Sequence, residues 1–262
     1  MTTIGQGRLA SENLELGSGP VGCYLIHGLT GSTFEFRGLA RFLEQQDYRV
    51  SARLLPGHGT TVEECNLVRA EDWLKETEYY FTQFIMSCEV VFVIGHSMGA
   101  GLALHLAGLF PVAGVVAMST ALELDSWRLR WLLPITSRFI TAIPKSKIYA
   151  GRNLDIQEYY GYQAYPAKAL RQMLRLNRFV RAGLPAVSVP ALIMHSHADI
   201  TAPFRNGSLV YNTIASTDKT LIEFDHSSHM LPDDTEKEQV WQHIQHFINK
   251  HLDEQPDALP GR

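Results

Sequence analysis

Val90-Val91-Phe92-Val93-Ile94-Gly95-His96-Ser97-Met98-Gly99-Ala100-Gly101-Leu102-Ala103-Leu104 joins an apolar, β-branched run to a small-residue helix pattern through Gly-x-Ser-x-Gly. This order places Ser97 on a sharp strand-to-helix turn. The turn needs glycine on either side, because a Cβ at Gly95 or Gly99 would collide with the neighbouring strand and helix, and it lifts the serine hydroxyl above the sheet. The backbone N–H of Met98, where a helix opens, then faces a developing oxyanion. A bare pentapeptide of this kind arises by chance in roughly one chain in ten of this length, so its surroundings carry the argument. His96 reads as a packed neighbour of the turn rather than the base for Ser97, since adjacent residues at a strand end point to opposite faces.

Outward from this stretch, short apolar runs alternate with helix-period segments. Strands are expected at Val21 to Ile26, Tyr48 to Leu54, Val90 to Ile94, Ala113 to Met118, Ala191 to His195 and Thr220 to Phe224. Helices are expected at Phe34 to Gln45, Ala70 to Met86, Ala100 to Leu109, Arg205 to Ile214 and Thr235 to Leu252. Strands rich in Val, Ile and Leu on both faces belong in a parallel sheet covered by helices, a doubly wound α/β fold. Leu122 to Val187 breaks the alternation: it has no convincing strand and carries Trp127, Trp131, Phe139 and tyrosines at 159, 160, 162 and 165. The expected organisation is a core from 1–121 and 188–252, a small helical cap inserted at 122–187, and a polar tail at 253–262.

Ligands of open α/β sheets bind outside the carboxyl ends of the strands. After the first expected strand comes His27-Gly28-Leu29-Thr30-Gly31, whose glycines let the backbone approach a ligand and whose Leu29 N–H offers a second oxyanion donor. Pro56-Gly57-His58-Gly59 reads as a turn with a structural histidine. Asp199 and then His229 follow later strands, so serine, acid and histidine fall in the chain order of this fold's triads. A serine hydroxyl attacks only once a histidine takes its proton, and an acid must hold that imidazole in the right tautomer. Asp199 is preferred to Asp225, which lies too close in sequence to either histidine. His229 is preferred to His226, which reads as solvated or capping, because Ser227-Ser228 carry His229 further from the sheet. The spacing His195-x-His197-x-Asp199 is similar to a zinc signature of metallo-β-lactamase-like hydrolases, yet Ile200 stands where that pattern has a histidine and no further phased ligands follow. No metal or cofactor is expected.

These residues together resemble the α/β-hydrolase superfamily, and within it bacterial carboxylesterases and monoacylglycerol lipases. The likeness extends over most of the chain and rests on His27 to Gly31, Pro56 to Gly59 with the Asp72-Trp73 pair, Gly95 to Gly99, Asp199 and Ser228-His229. It implies Ser97 as nucleophile, Asp199 as orienting acid, His229 as general base, and the Leu29 and Met98 amides as oxyanion hole. It also implies an acyl-enzyme route on carboxylic esters, with activity rising as the histidine loses its proton. The leucines and aromatics at 122–187 suit short- to medium-chain acyl esters or monoacylglycerols. The same scaffold also serves thioester or C–C cleavage, or ligand sensing with little turnover.

Composition narrows the partners. The chain has 262 residues, 45% of them hydrophobic, and a net charge of −4. Without clustered Lys and Arg, nucleic acid is not an expected partner. Cys23, Cys65 and Cys88 are odd in number and widely spaced, and read as reduced structural thiols in a cytoplasmic protein. No apolar stretch reaches the roughly 18 residues of a membrane span, and Met1 to Glu15 lack a basic segment followed by an apolar one, so neither a span nor export is expected. Trp131-Leu132-Leu133-Pro134-Ile135 is a candidate for weak contact with a lipid interface.

Overall fold

A computed structural model describes residues 12–123, 127–145 and 161–254, with backbone alone at 127–130. The expected readings of Tyr159, Tyr160, the Trp127 side chain, the extreme N-terminus and the tail beyond Glu254 lie outside the described residues. Seven strands form one sheet: β1 (Leu14–Leu16), β2 (Val21–Ile26), β3 (Arg49–Ala52), β4 (Val90–His96), β5 (Gly114–Met118), β8 (Ala191–Ser196) and β9 (Lys219–Phe224). Their order is β1-β3-β2-β4-β5-β8-β9, parallel except for β1, which pairs antiparallel with β3 at the edge. The chain is an α/β-hydrolase-type doubly wound fold. β3 lies to one side of β2 and β4 to the other, so the order reverses there. Loops leaving β2 and β4 diverge at that crevice, the place where such sheets bind ligands.

Period-two alternation sorts the core. Tyr24, Ile26, Val91, Val93, Val115, Ala117 and Ile193 face one layer, against α3 (Ala70–Ile85), α4 (Met98–Leu109) and α6 (Ala167–Gly183). Cys23, Leu25, Phe92, Ile94, Val116, Met118, Leu192 and Met194 face the other, against α1 (Arg37–Glu44) and α8 (Lys237–Asp253). Every residue of β2, β4, β5 and β8 is buried, as a sheet covered on both faces demands. The three cysteines are unpaired, and burial pushes the Cys65 thiol up to about 12.

The structure departs from expectation at several points. β1 was not expected, because a three-residue edge strand is too short to display a period. Segment 122–187 contains strands: β6 (Ala142–Pro144) and β7 (Ala164–Pro166) pair antiparallel, with Ile143 opposite Tyr165. Both end in proline, which argues against a strand when read from sequence. α4 begins at Met98, not Ala100, because the helix starts on the turn itself. Further elements are α2 (Val62–Cys65), α5 (Trp127–Thr136) and α7 (Arg205–Thr213), and a 3-10 turn at Thr33–Phe36 precedes α1.

Segment 122–187 is fastened at its entrance. The Asn177 amide donates to the Ala121 and Leu122 carbonyls, and Glu123 accepts from Arg181 and Arg205.

Backbones approach closely around the turn at Ser97. A Cβ on Gly95 would stand 2.2 Å from the Gly99 carbonyl oxygen, and one on Gly99 2.0 Å from that of Ile26. Neither contact can be relieved by rotating a side chain. Gly99→Ala is therefore expected to destabilise the fold by at least about 3 kcal/mol, read from denaturant midpoints.

Candidate active site

Ser97 ends the strand-to-helix turn at φ 57° and ψ −117°, a left-handed conformation that costs a non-glycine residue about 1–3 kcal/mol. The turn is held by its own backbone: the Ser97 N–H donates to Met118 O at 2.9 Å, and Ser97 O accepts from the Ala100 and Ala121 amides. Above it, Ser97 Oγ lies 2.9 Å from His229 Nε2, and His229 Nδ1 lies 2.7 Å from Asp199 Oδ2. The Thr201 and Ala202 amides donate to the other oxygen, Oδ1, at 2.8 and 2.9 Å. Asp199 is thus fixed on both sides. Burial by itself would raise its pKa, but His229 and these N–H groups hold the carboxyl below the usual aspartate range. Carboxylate at Asp199 in turn assigns the proton to His229 Nδ1, which leaves Nε2 free to accept from the Ser97 hydroxyl.

The loop after β2 is shaped from outside. Thr30 adopts φ 68°, an outlier for a β-branched residue. Its N–H donates to His58 Nε2 at 3.0 Å and its carbonyl accepts from the Tyr162 N–H at 2.9 Å. His58 Nδ1 donates to Pro56 O, so its tautomer is fixed by an acceptor on one side and a donor on the other. His27 repeats the pattern: Nδ1 donates to Gly28 O, and Nε2 accepts from the Leu55 N–H. Tyr162 completes the tie by donating its hydroxyl to Gly57 O at 2.6 Å, while Trp73 donates to Pro56 O. Leu29 follows Gly28, where a Cβ would stand 3.0 Å from Ser97 Cβ, and Met98 opens α4 directly after Ser97.

The other candidates are separated. His226 is exposed. Buried His195 donates to Ala202 O, exposed His197 pairs with Glu223 and stacks on Phe204, and Asp199 is taken by His229. That triplet does not converge as a ligand set. Three groups escaped the sequence reading. Asp234 accepts from Ser228 and Glu236 from the His226 and Ser227 amides, and together they build the loop that presents His229. The third is buried Glu35, which accepts from the Gly28 N–H and contacts His96. Lone acids in polar segments give no periodic or motif signal.

A serine hydroxyl, an imidazole and a buried carboxylate in series at the crevice of a parallel sheet define an enzyme of the α/β-hydrolase class. The chain belongs to the serine aminopeptidase S33 family, whose model matches residues 22–236. It is 30% identical over 239 residues to the thermostable monoacylglycerol lipase of Bacillus sp. (strain H-257), covering 89% of this chain and 92% of that protein. It is 25% identical over 232 residues to a carboxylesterase of Bacillus subtilis (strain 168), covering 86% and 91%. Among solved structures it is similar to one from the metagenome-derived lipolytic enzymes LipS and LipT, at TM-score 0.86 and 31% identity over 94% of this chain and 100% of that one. The fold also matches the Paleococcus ferrophilus monoacylglycerol lipase at TM-score 0.77 and 20% identity, covering 92% and 98%.

Burial lowers the His58 pKa from 6.5 to about 3. The unfolded chain therefore binds a proton between these values that the folded chain refuses. The stability this contributes is complete above pH 6.5 and is lost as pH falls toward 3, by up to about 1.4 kcal/mol per pH unit. Unfolding midpoints followed across that window should show this slope, reduced in His58→Gln.

Proposed function

We propose that the protein hydrolyses carboxylic esters, short- to medium-chain acyl esters or monoacylglycerols, through an acyl-enzyme on Ser97. Ser97 Oγ attacks the ester carbonyl as His229 takes its proton, with Asp199 stabilising the imidazolium that forms. The tetrahedral oxyanion is received by the Leu29 and Met98 N–H groups. His229 returns the proton to the departing alcohol, then activates the water that releases the acid. The observation that carries this reading is the unbroken Ser97–His229–Asp199 hydrogen-bond series. The relatives named as monoacylglycerol lipase and carboxylesterase support the substrate class. The reaction needs no cofactor.

Segment 122–187 serves in this proposal as a cap that bounds the acyl site. Its support is the pair of bonds from Tyr162 to Thr30 and Gly57. Trp131 at 70% and Phe139 at 83% exposure, with Ile135 beside them, form an apolar edge suited to resting on a lipid surface. No helix among the described residues is long and apolar enough to cross a membrane. Free, buried Cys23 and Cys65 support a reducing, cytoplasmic setting.

Hydrolysis of p-nitrophenyl esters from acetate to palmitate tests the reading. A rate optimum at short to medium chains is expected, unaffected by a chelator and reduced about 10⁶-fold in kcat by Ser97→Ala. Chelator-sensitive rates would overturn it. Absence of turnover with Ser97 still labelled by a fluorophosphonate would redirect it to thioester or C–C substrates. For the lipid edge, Trp131→Ser with Phe139→Ser should lower sedimentation with phosphatidylglycerol vesicles while leaving the rate on soluble butyrate unchanged. Equal sedimentation of variant and parent would remove that edge from the proposal.

A further inference from the structure

Beneath the site lies a charged pair that the reaction itself does not use. Glu35, from the 3-10 turn before α1, and His96, adjacent to Ser97, are both buried. Their three polar contacts are specific. Glu35 Oε1 accepts from the Gly28 N–H at 2.9 Å and faces His96 Nδ1 at 3.0 Å. His96 Nε2 stands 2.8 Å from the carbonyl oxygen of His229. The second carboxylate oxygen, Oε2, lies against Gly31, where a Cβ would come within 2.5 Å of it. The loop from Gly28 to Gly31 therefore packs against this carboxylate, and a side chain at 31 would press on it.

The proton count follows from what each partner can do. A backbone carbonyl only accepts, so His96 Nε2 must carry hydrogen. Glu35 is held ionised, its pKa lowered by His96, His27 and the Gly28 N–H, and a carboxylate oxygen only accepts, so His96 Nδ1 donates to Oε1 as well. Both ring nitrogens are donors, and the ring is an imidazolium beside a carboxylate. Burial alone would strip His96 of its second proton and neutralise Glu35, but each holds the other charged: His96 titrates above, and Glu35 below, its ordinary range. The other titratable groups around His96 are the His229 ring, 5.0 Å away between centroids, with Asp199, His27 and His195 beyond it.

We propose that the Glu35–His96 ion pair is a positioning device that sets the oxyanion loop and the general-base loop in one register about Ser97. One end holds the peptide that leads into Leu29, and the other holds the peptide of His229 itself. An ion pair serving stability alone has no reason to reach these two backbone groups, and a neutral histidine can donate to only one of the Glu35 carboxylate and the His229 carbonyl. The proposal rests on the esterase reading for what it positions, and on the proton count for how.

Two measurements test it, and the first is independent of ester turnover. In protein labelled with ¹⁵N-histidine, His96 is expected to keep both ring protons at about pH 8, where exposed histidines are neutral. A His96 ring with one bare nitrogen there overturns the proposal. The second compares Glu35→Gln with the parent on p-nitrophenyl butyrate, with folded fraction and Ser97 labelling by a fluorophosphonate measured on the same samples. Glutamine keeps the shape but removes the counter-charge, so His96 is expected to lose its second proton and release one of the two loops. The expected result is a fall in kcat of about 10- to 100-fold with KM little changed, since misplacement of reacting groups by about 1 Å costs this much. A variant with the parent's kcat, or a loss fully explained by its folded fraction, overturns the proposal. A parent that neither turns over esters nor labels at Ser97 would instead count against the esterase reading, while the proton count of His96 still decides the pair.

Discussion

Everything in this molecule is arranged around the close approach of three backbones at Gly95, Gly99 and Ile26. β4 runs into α4 with no intervening loop, so Ser97 must take a left-handed conformation and the flanking residues must lack Cβ atoms. The strain of about 1–3 kcal/mol is tolerable because the turn is tied to Met118 and Ala121 by backbone hydrogen bonds. The benefit is a hydroxyl that stands clear of the sheet on a rigid support. Because β2 pairs with β4 in parallel, with Ile26 opposite Gly95, the loop carrying Leu29 is delivered beside that hydroxyl.

Around this centre, buried polar side chains are matched to backbone groups rather than to each other. His27 and His58 each place a ring proton on a carbonyl and a bare nitrogen on an amide, a pattern that only the neutral ring can satisfy. His96 has two acceptors and needs the charged ring. Neighbouring histidines thus hold different protonation states because different partners surround them. Such networks fix geometry strongly when every member is satisfied.

Much of the sheet was legible in the sequence because strands buried on both faces carry unbroken apolar runs, and β2, β4, β5 and β8 fall where those runs lie. The serine, the acid and the histidine were legible because each follows a strand, and a doubly wound sheet collects such loops at one edge. What escaped were short or locally patternless pieces: the edge strand at Leu14–Leu16 and the Pro-ended pair at Ala142–Pro144 and Ala164–Pro166. Glu35, Asp234 and Glu236 escaped for a related reason. An acid that satisfies a backbone amide leaves no spacing to detect.

The sequence by itself determined the fold class, the turn at Ser97 and the order of the groups that meet above it, because hydrophobic period and glycine placement are local properties of the chain. Tertiary structure alone decided which tautomer each ring adopts, and that His96 is held charged by a glutamate 61 positions away. Those outcomes depend on donors and acceptors brought together by folding, and a proton's position is set by its partners rather than by its neighbours in the chain.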